Sequence, residues 1–435
     1  MNIFILGVNG ISMRSIEKTM KEQGHNVLGY DDSPIELKNI NYSKTIYEKK
    51  HIKQANEKVT AAKMDLIVYS SAIKKNHPLM IEAKKLKIPT IGRTDFFVKY
   101  MPLNNTKILI AGAHGKTTTS SLLAYILNSS YYLGGIINGE ESPSKFKESQ
   151  YTVIETDESD GSFLKWQGEY KLLLNFDYEH MIFYKTKENI IKYHREFVMN
   201  NIETTKVIIN EEAKNKLEIK DHPNIITFGN KNANYNLSNI KANETGITFE
   251  INNKQFSLPI LGKHNASNFI AIYALLNSMN LNLNGSIKKT QSFPGVKKRM
   301  QKIKYRNHNL KFFLDYGHHP NEIKSVLESL KEHYPNEKFE IIFEAHKPSR
   351  IIENKEKWPE IFKGFKIWLY PIYIADEKEI NEQKYKMTTE IFAKNLKENE
   401  INLEVLKEDL SNLELNKNNL ICFSAGKLSE KLSKY

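Results

Sequence analysis

The chain has 435 residues, of which 40% are hydrophobic and 11% aromatic, enough for about two to three domains with sizeable cores. Its formal charge of +12 comes from lysines scattered along the whole length, with no basic stripe interleaved with aromatics, so nucleic acid is not an expected partner. One cysteine, Cys422, excludes an intramolecular disulfide and a multi-cysteine metal site; no run approaches the roughly 18 apolar residues of a membrane span, so a protein of the reducing cytoplasm is expected, without membrane insertion.

In chain order, "NIFILG" (2–7) reads as a buried strand. "GVNGISM" then turns into a helix over 13–24, ended by Gly24. As a dinucleotide fingerprint the turn is incomplete, with Gly7 and Gly10 alone present and Asn9 and Ser12 at two further positions; Asn9 tolerates a positive φ better than most residues. "HNVLGYDD" (25–32) is a second strand, and its Asp31 stands where a ribose-binding acid belongs. "DLIVYSS" (65–71) is a later strand, and "YMPLNNTK" (100–107) reads as a linker. Beyond it, "YTVIETDESD" (151–160), "YKLLLNFDYEH" (170–180) and "KVIIN" (206–210) are apolar strands, with a helix over 187–200 and short antiparallel strands expected over 225–261. "GKHNASNFIAIYALLNSM" (262–279) reads as a turn into a helix, with Asn265 at a cap-like position. After "FPGVKKRMQ" (293–301), strand-then-polar-end segments resume in "LKFFLDYGHHPNEI", "KFEIIFEAHKPSR", "KIWLYPIYIADE" and "NLICFSAGKLSEKL". Apolar runs without alternation, separated by helices, predict parallel sheets covered on both faces. Three α/β units are expected, at 1–102, 103–292 and 293–435.

The most informative stretch is "KILIAGAHGKTTTSSLLAYIL" (107–127): strand, glycine turn, lysine and hydroxyl residues opening a helix. Glycines let backbone N–H groups converge on an anion, and the helix N-terminus adds partial positive charge. Lys116 would reach the β- and γ-phosphates and Thr117 would offer its hydroxyl to Mg²⁺. The usual spacing G-x-x-x-x-G-K-[ST] is not met, since Ile110 stands where a glycine is wanted and Gly112 follows two residues later. A carboxylate beside a triphosphate makes sense with a cation between them, which makes Glu155, at the mouth of a strand, a candidate Mg²⁺ ligand. In "LDYGHHPNEI", Asp315, Tyr316, His318 and His319 crowd one strand-to-helix turn, a grouping harder to explain by packing than a lone histidine.

"AGAHGKTTTS" resembles the phosphate loop of the Mur ligase family, and further motifs resemble it in the same order through nearly the whole chain. These are "ETDESD", "NFDYEHM", "GKHNASNF", "GVKKRMQ", "LDYGHHP", "FEAHKPSR" and "YPIYIADE". The resemblance implies a Rossmann-like N-terminal domain, a central P-loop-type ATPase domain and a Rossmann-like C-terminal domain. It implies nucleotide contacts from Gly112, His114, Gly115, Lys116, Thr117, Thr118, Asn265, Asn268, Arg299 and Asp315. Mg²⁺ would be held by Thr117, Glu155 and His180. Substrate contacts are implied for Gly7, Gly10, Asp31, Ser71, Glu158, His180, Tyr316 and His346, with the first unit holding the UDP of a sugar substrate. Lys116, His318, His319 and Arg350 would carry the chemistry. Against the family pattern, Glu179 replaces Asp, Lys298 replaces the first of two arginines, Leu314 replaces Asp, and Arg14 replaces Ser. Lys347 and Pro348 replace Arg and Tyr beside the incoming amino acid, and a lysine cannot reproduce the planar two-point grip of an arginine on a carboxylate.

The histidine before Gly115 points to the branch of the family that acts on UDP-N-acetylmuramate. The implied activity is ATP-dependent ligation of L-alanine to its lactyl carboxylate through an acyl phosphate, in peptidoglycan precursor synthesis, by a cytoplasmic monomer or homodimer. Two alternatives stay open: a ligase that attaches a recycled peptide, and a catalytically inactive nucleotide-binding relative.

Overall fold

The computed structural model describes residues 1–32, 46–48, 52–61, 63–230, 232–303, 310–374, 381–413, 418–426 and 428–432. The Asp376 position of "YPIYIADE" lies outside them. Contacts divide the chain into two units: Met1–Ser238 with Glu250–Gln255 and Ala266–Pro294, and Asn239–Phe249 with Phe256–Asn265 and Gly295–Tyr435.

The first unit holds two mainly parallel sheets, as the uninterrupted apolar runs predict. In one, the order is Ile46–Glu48, Asn26–Asp31, Asn2–Leu6, Leu66–Tyr69, Thr90–Gly92, all parallel. Successive residues of Asn2–Leu6 face opposite sides: Ile3 and Ile5 join a cluster with Ile16, Met20 and Phe96, while Phe4 and Leu6 join Val59 and Leu79. The order reverses beside this strand, with Asn26–Asp31 on one side and Leu66–Tyr69 on the other. Its carboxyl end is therefore the usual ligand position in such sheets. Helix Ile11–Glu22 follows, and Gly24 ends it at φ +81°, where a side chain would be strained.

In the other sheet, Lys206–Asn210, Tyr170–Leu173, Thr106–Ala111, Tyr151–Glu155 and Ser130–Tyr132 lie parallel in that order, and Ser144–Lys145 closes the edge antiparallel. Ile225–Gly229 corrects the expectation of antiparallel strands from 225 onward, because it pairs parallel with Lys206–Asn210. Helix Glu211–Lys216 lies between these two strands and returns the chain, as a parallel pair requires. Asn210 starts that helix by accepting a hydrogen bond from Ala213 N at 3.1 Å. Strands Tyr235–Asn243, Gly246–Ile251 and Lys254–Leu258 follow.

Two buried titratable groups lie under this sheet. Lys171 donates to Phe197 O at 2.8 Å and Asn200 O at 2.6 Å, carbonyls at the end of helix Lys187–Met199, and burial lowers its pKa to about 8. His194, on the same helix, is 2% exposed and donates from Nδ1 to Ile190 O at 2.9 Å; burial lowers its pKa from 6.5 to about 4. The unfolded chain therefore binds a proton at this histidine that the folded chain refuses. Its contribution is fully present above pH 6.5 and is lost as pH falls toward about 4. The midpoint of urea unfolding is expected to drop across that interval, and His194→Gln should flatten the drop; an unchanged profile would contradict a neutral buried imidazole.

The second unit carries one sheet, ordered Gln301–Ile303, Phe312–Asp315, Asn419–Ser424, Phe339–His346, Ile367–Tyr373, Leu403–Val405. All pairs are parallel except the first, which forms an antiparallel edge. Helix Pro320–His333 packs Ile323, Leu327 and Leu330 into a cluster with Phe343 and Trp358. Among the described residues, no helix is long and apolar enough to cross a membrane.

Candidate functional site

The turn between Thr106–Ala111 and Lys116–Leu127 is built for close approach. Gly112 sits at φ +140° and Gly115 at φ +82°. A Cβ on Gly115 would lie 2.3 Å from Asn268 Oδ1, so the helix His264–Ser278 packs against bare backbone there. Asn175 pins the turn from the next strand end: its Oδ1 accepts from His114 N at 2.8 Å and its Nδ2 donates to His114 O at 2.9 Å. No side chain caps Lys116–Leu127 and its first turn has no acid, which leaves the positive end of the helix to an anion.

Lys116 Nζ donates to Gly112 O at 2.5 Å and to Glu158 Oε1 at 2.6 Å. Glu155 gathers three donors: Thr117 Oγ1 at 2.8 Å, Ser120 Oγ at 3.2 Å and Gly134 N at 2.6 Å. The Thr117–Glu155 oxygen separation of 2.8 Å is close to the roughly 3.0 Å between adjacent oxygens that each lie about 2.1 Å from an octahedral Mg²⁺. His180, at φ +56°, has Nε2 3.9 Å from both Glu158 Oε1 and Glu179 Oε2. A further potential ligand group, His114, Asp177 and Glu179, brings one ligand atom each to within 4.8 Å of the others. Thr118 follows Thr117 in the first helical turn.

The acidic loop is not a solvated run. Glu158 is 4% exposed, and burial pushes its carboxyl above the ordinary range against the pull of the Lys116 charge. Asp157 is raised by burial but ends below the ordinary range, because Ser159 and Arg93 outweigh that effect. Arg93 Nη2 donates to Asp157 Oδ2 at 2.8 Å and lies 3.9 Å from Asp160 Oδ2.

At the first strand's carboxyl end, Gly7 adopts φ +78°, and a Cβ there would lie 2.7 Å from Ser70 Oγ. Gly10 precedes the helix in an extended conformation. Asp31 Oδ2 accepts from Asn9 N at 2.9 Å, so this acid fixes the turn's own backbone. Asn9 keeps a negative φ and makes no use of the left-handed region expected of it. Ser70, rather than the exposed Ser71, is the serine against Gly7.

In the second unit, Asp315 is 4% exposed and accepts from Met300 N at 2.8 Å and Gly317 N at 2.7 Å. Burial raises its carboxyl pKa, opposed by the Arg299 charge. The Arg299 guanidinium lies 5.5 Å from the Tyr316 ring centroid. The two histidines differ. His319 caps helix Pro320–His333, its Nδ1 accepting from Asn321 N at 3.3 Å. His318 Nδ1 lies 3.1 Å from Tyr316 O, and only an N–H bonds to a carbonyl, which leaves Nε2 as the basic nitrogen. Burial lowers the His318 pKa, so this ring is neutral near pH 7. It meets the His346 ring edge-on at 5.1 Å, and His346 stacks on Tyr373 at 5.4 Å. Arg350 Nη1, in helix Pro348–Glu353, lies 2.9 Å from His346 Nδ1, at the end of strand Phe339–His346. Asn265 lies inside helix His264–Ser278 and donates to Leu261 O at 2.7 Å.

Asn175, Ser120, Gly134 and Arg93 were not legible as site residues. Asn175 lies in "NFDYEH", where Glu179 and His180 are the informative residues, and Arg93 meets an acid 64 positions away.

Residues 2–102 match the family model described as Mur ligase family, catalytic domain, and residues 110–276 that of the Mur ligase middle domain. The chain is 32% identical over 418 residues to the UDP-N-acetylmuramate–L-alanine ligase of Pelagibacter ubique, covering 91% of this chain and 88% of that one. It is 34% identical over 404 residues to the enzyme of the same name from Vesicomyosocius okutanii, covering 87% and 84%. Among solved structures, UDP-N-acetylmuramate–alanine ligase of Thermotoga maritima superposes with TM-score 0.77 at 20% identity, covering 100% of this chain and 98% of that one. A murein peptide ligase of Psychrobacter arcticus gives 0.71 at 19%, covering 100% and 99%. At these identities the two structures speak for the α/β fold.

Proposed function

We propose that this chain, which belongs to the Mur ligase family, is an ATP-dependent ligase that joins L-alanine to the lactyl carboxylate of UDP-N-acetylmuramate, in cytoplasmic assembly of a peptidoglycan precursor. The observation that carries this reading is the 32% identity over 91% of the chain to a ligase of that name. The uncapped helix behind Gly115 and Lys116 supports the ATP half of it.

A free carboxylate at neutral pH is too poor an electrophile for an amine. In the first step a lactyl carboxylate oxygen bonds to the γ-phosphorus of ATP and ADP leaves. In the second, the amine of L-alanine attacks the acyl carbon, loses a proton, and phosphate leaves with the C–O electron pair. Lys116 and the N–H groups after Gly115 stabilise the phosphoryl oxygens. Thr117, Glu155 and His180 would hold Mg²⁺, which when bound neutralises phosphate charge. The half-buried, neutral His318, with Nε2 as its basic nitrogen, is the group suited to take the amine's proton, while the Nδ1 of His319 caps its helix. The strand end at Gly7, Ser70 and Asp31 is suited to the UDP moiety.

Phosphate release is expected to require ATP, UDP-N-acetylmuramate and L-alanine together. Release unaffected by the latter two would overturn the reading. A competing tripeptide that displaces L-alanine would instead favour attachment of a recycled peptide, the reading that Lys347 and Pro348 bear on.

A further inference from the structure

The Lys116 ammonium has three N–H donors, and the chain engages all of them: Gly112 O at 2.5 Å, Ala113 O at 3.4 Å and Glu158 Oε1 at 2.6 Å. Glu158 itself is only half satisfied. It is 4% exposed, and its Oε2 has no hydrogen-bond partner among the described residues. An unpaired buried oxygen is destabilising, so this acid is poorly explained as packing. Its backbone is nonetheless fixed. Glu158 O accepts from Gly161 N at 3.2 Å and from Tyr184 Oη, and the adjacent Asp157 is tied to Arg93 at 2.8 Å.

We propose that Glu158 is a positioning residue: in the nucleotide-free loop its carboxylate oxygen stands in for a phosphate oxygen, holding Lys116 beside the turn until a triphosphate displaces it. This rests on the reading of residues 112–117 as a triphosphate loop. It assigns Glu158 to the lysine rather than to the sugar substrate. Two consequences follow from the geometry. A lysine with a long flexible stem is kept ordered where the anion arrives, which lowers the ordering cost of binding. Each binding event must also break a short ion pair, so ATP binds less tightly than the loop alone would allow.

Glu158→Gln keeps the shape and removes the competing charge. Titration with a non-hydrolysable ATP analogue is expected to show binding about threefold to tenfold tighter than in the unaltered chain. On a Lys116→Met background the same substitution should give no more than about a third of that gain, because the lysine it acts through is gone. The ATP KM should fall with the Kd while kcat does not rise, a split that a loosened fold would not produce. If E158Q does not fold, Glu158→Asp, which withdraws the carboxylate by one methylene, is measured the same way. Unchanged or weaker binding with an intact melting transition overturns the proposal, as does an equal gain without Lys116; in either case analogue binding by the unaltered chain leaves the loop reading standing. No analogue binding by the unaltered chain overturns both.

Discussion

Lys116→Ala is expected to lower kcat/KM for amide formation on the order of 10³-fold, about 4 kcal/mol of transition-state stabilisation. The ammonium is the one cation tied directly to the phosphate turn among the described residues, 2.5 Å from Gly112 O and 2.6 Å from Glu158 Oε1. When the γ-phosphoryl group moves, its charge spreads over oxygens that a point charge at this position stabilises and alanine does not. The effect should fall on kcat more than on binding of UDP-N-acetylmuramate, whose proposed site lies at the end of another strand. The fold should survive, because Asn175 holds His114 through two hydrogen bonds that do not involve the lysine. Stopped assays of ADP and amide product at saturating substrates check this; amide synthesis within tenfold of the unaltered chain would remove the chemical basis of the proposed function.

The parts of the fold and site that were legible in the sequence are local. Apolar runs such as "NIFILG" and "KILIAG" declare buried parallel strands because both faces must be covered, and the glycine–lysine turn can be located because strand, turn and helix are contiguous. What escaped depends on pairings over long separations. Arg93 stabilises the acidic loop from 64 positions away, and nothing near either residue hints at it. Lys171, inside the apolar stretch "YKLLLNF", is buried because helix Lys187–Met199 ends over it and offers carbonyls. Ile225–Gly229 is parallel because a two-turn helix intervenes, a helix too short to stand out by periodicity. His318 and His319 are adjacent and chemically identical in sequence; the helix cap separates them into a structural group and a candidate base.

Gly115→Ala tests the loop's shape rather than its charge. Gly115 sits at φ +82°, a conformation that costs an L-residue roughly 1–2 kcal/mol. The added methyl would also lie 2.3 Å from Asn268 Oδ1, closer than nonbonded atoms approach, and a tight 3.1 Å from Asn268 Nδ2. One of the two must move. Asn268 is 6% exposed on a helix whose neighbouring Phe269 and Ile270 are in the core, so the loop is the softer partner. Displacing it swings the N–H groups of residues 115–117 off the anion and moves Thr117 Oγ1 from its place 2.8 Å from Glu155 Oε1. A loss of about 10²-fold or more in kcat/KM is expected, most of it as a raised ATP KM, since misplacement of an ångström is enough for that. Gly139, also at positive φ (+88°) but with nothing within 4 Å of the methyl that alanine would add, is the control: Gly139→Ala carries the backbone strain without the collision. If both variants lose stability by a similar 1–2 kcal/mol or so and only Gly115→Ala loses ATP affinity, the contact with Asn268 is what shapes the phosphate turn. Equal activity in the two would mean that the turn tolerates a side chain, and that the glycine is there for conformation alone.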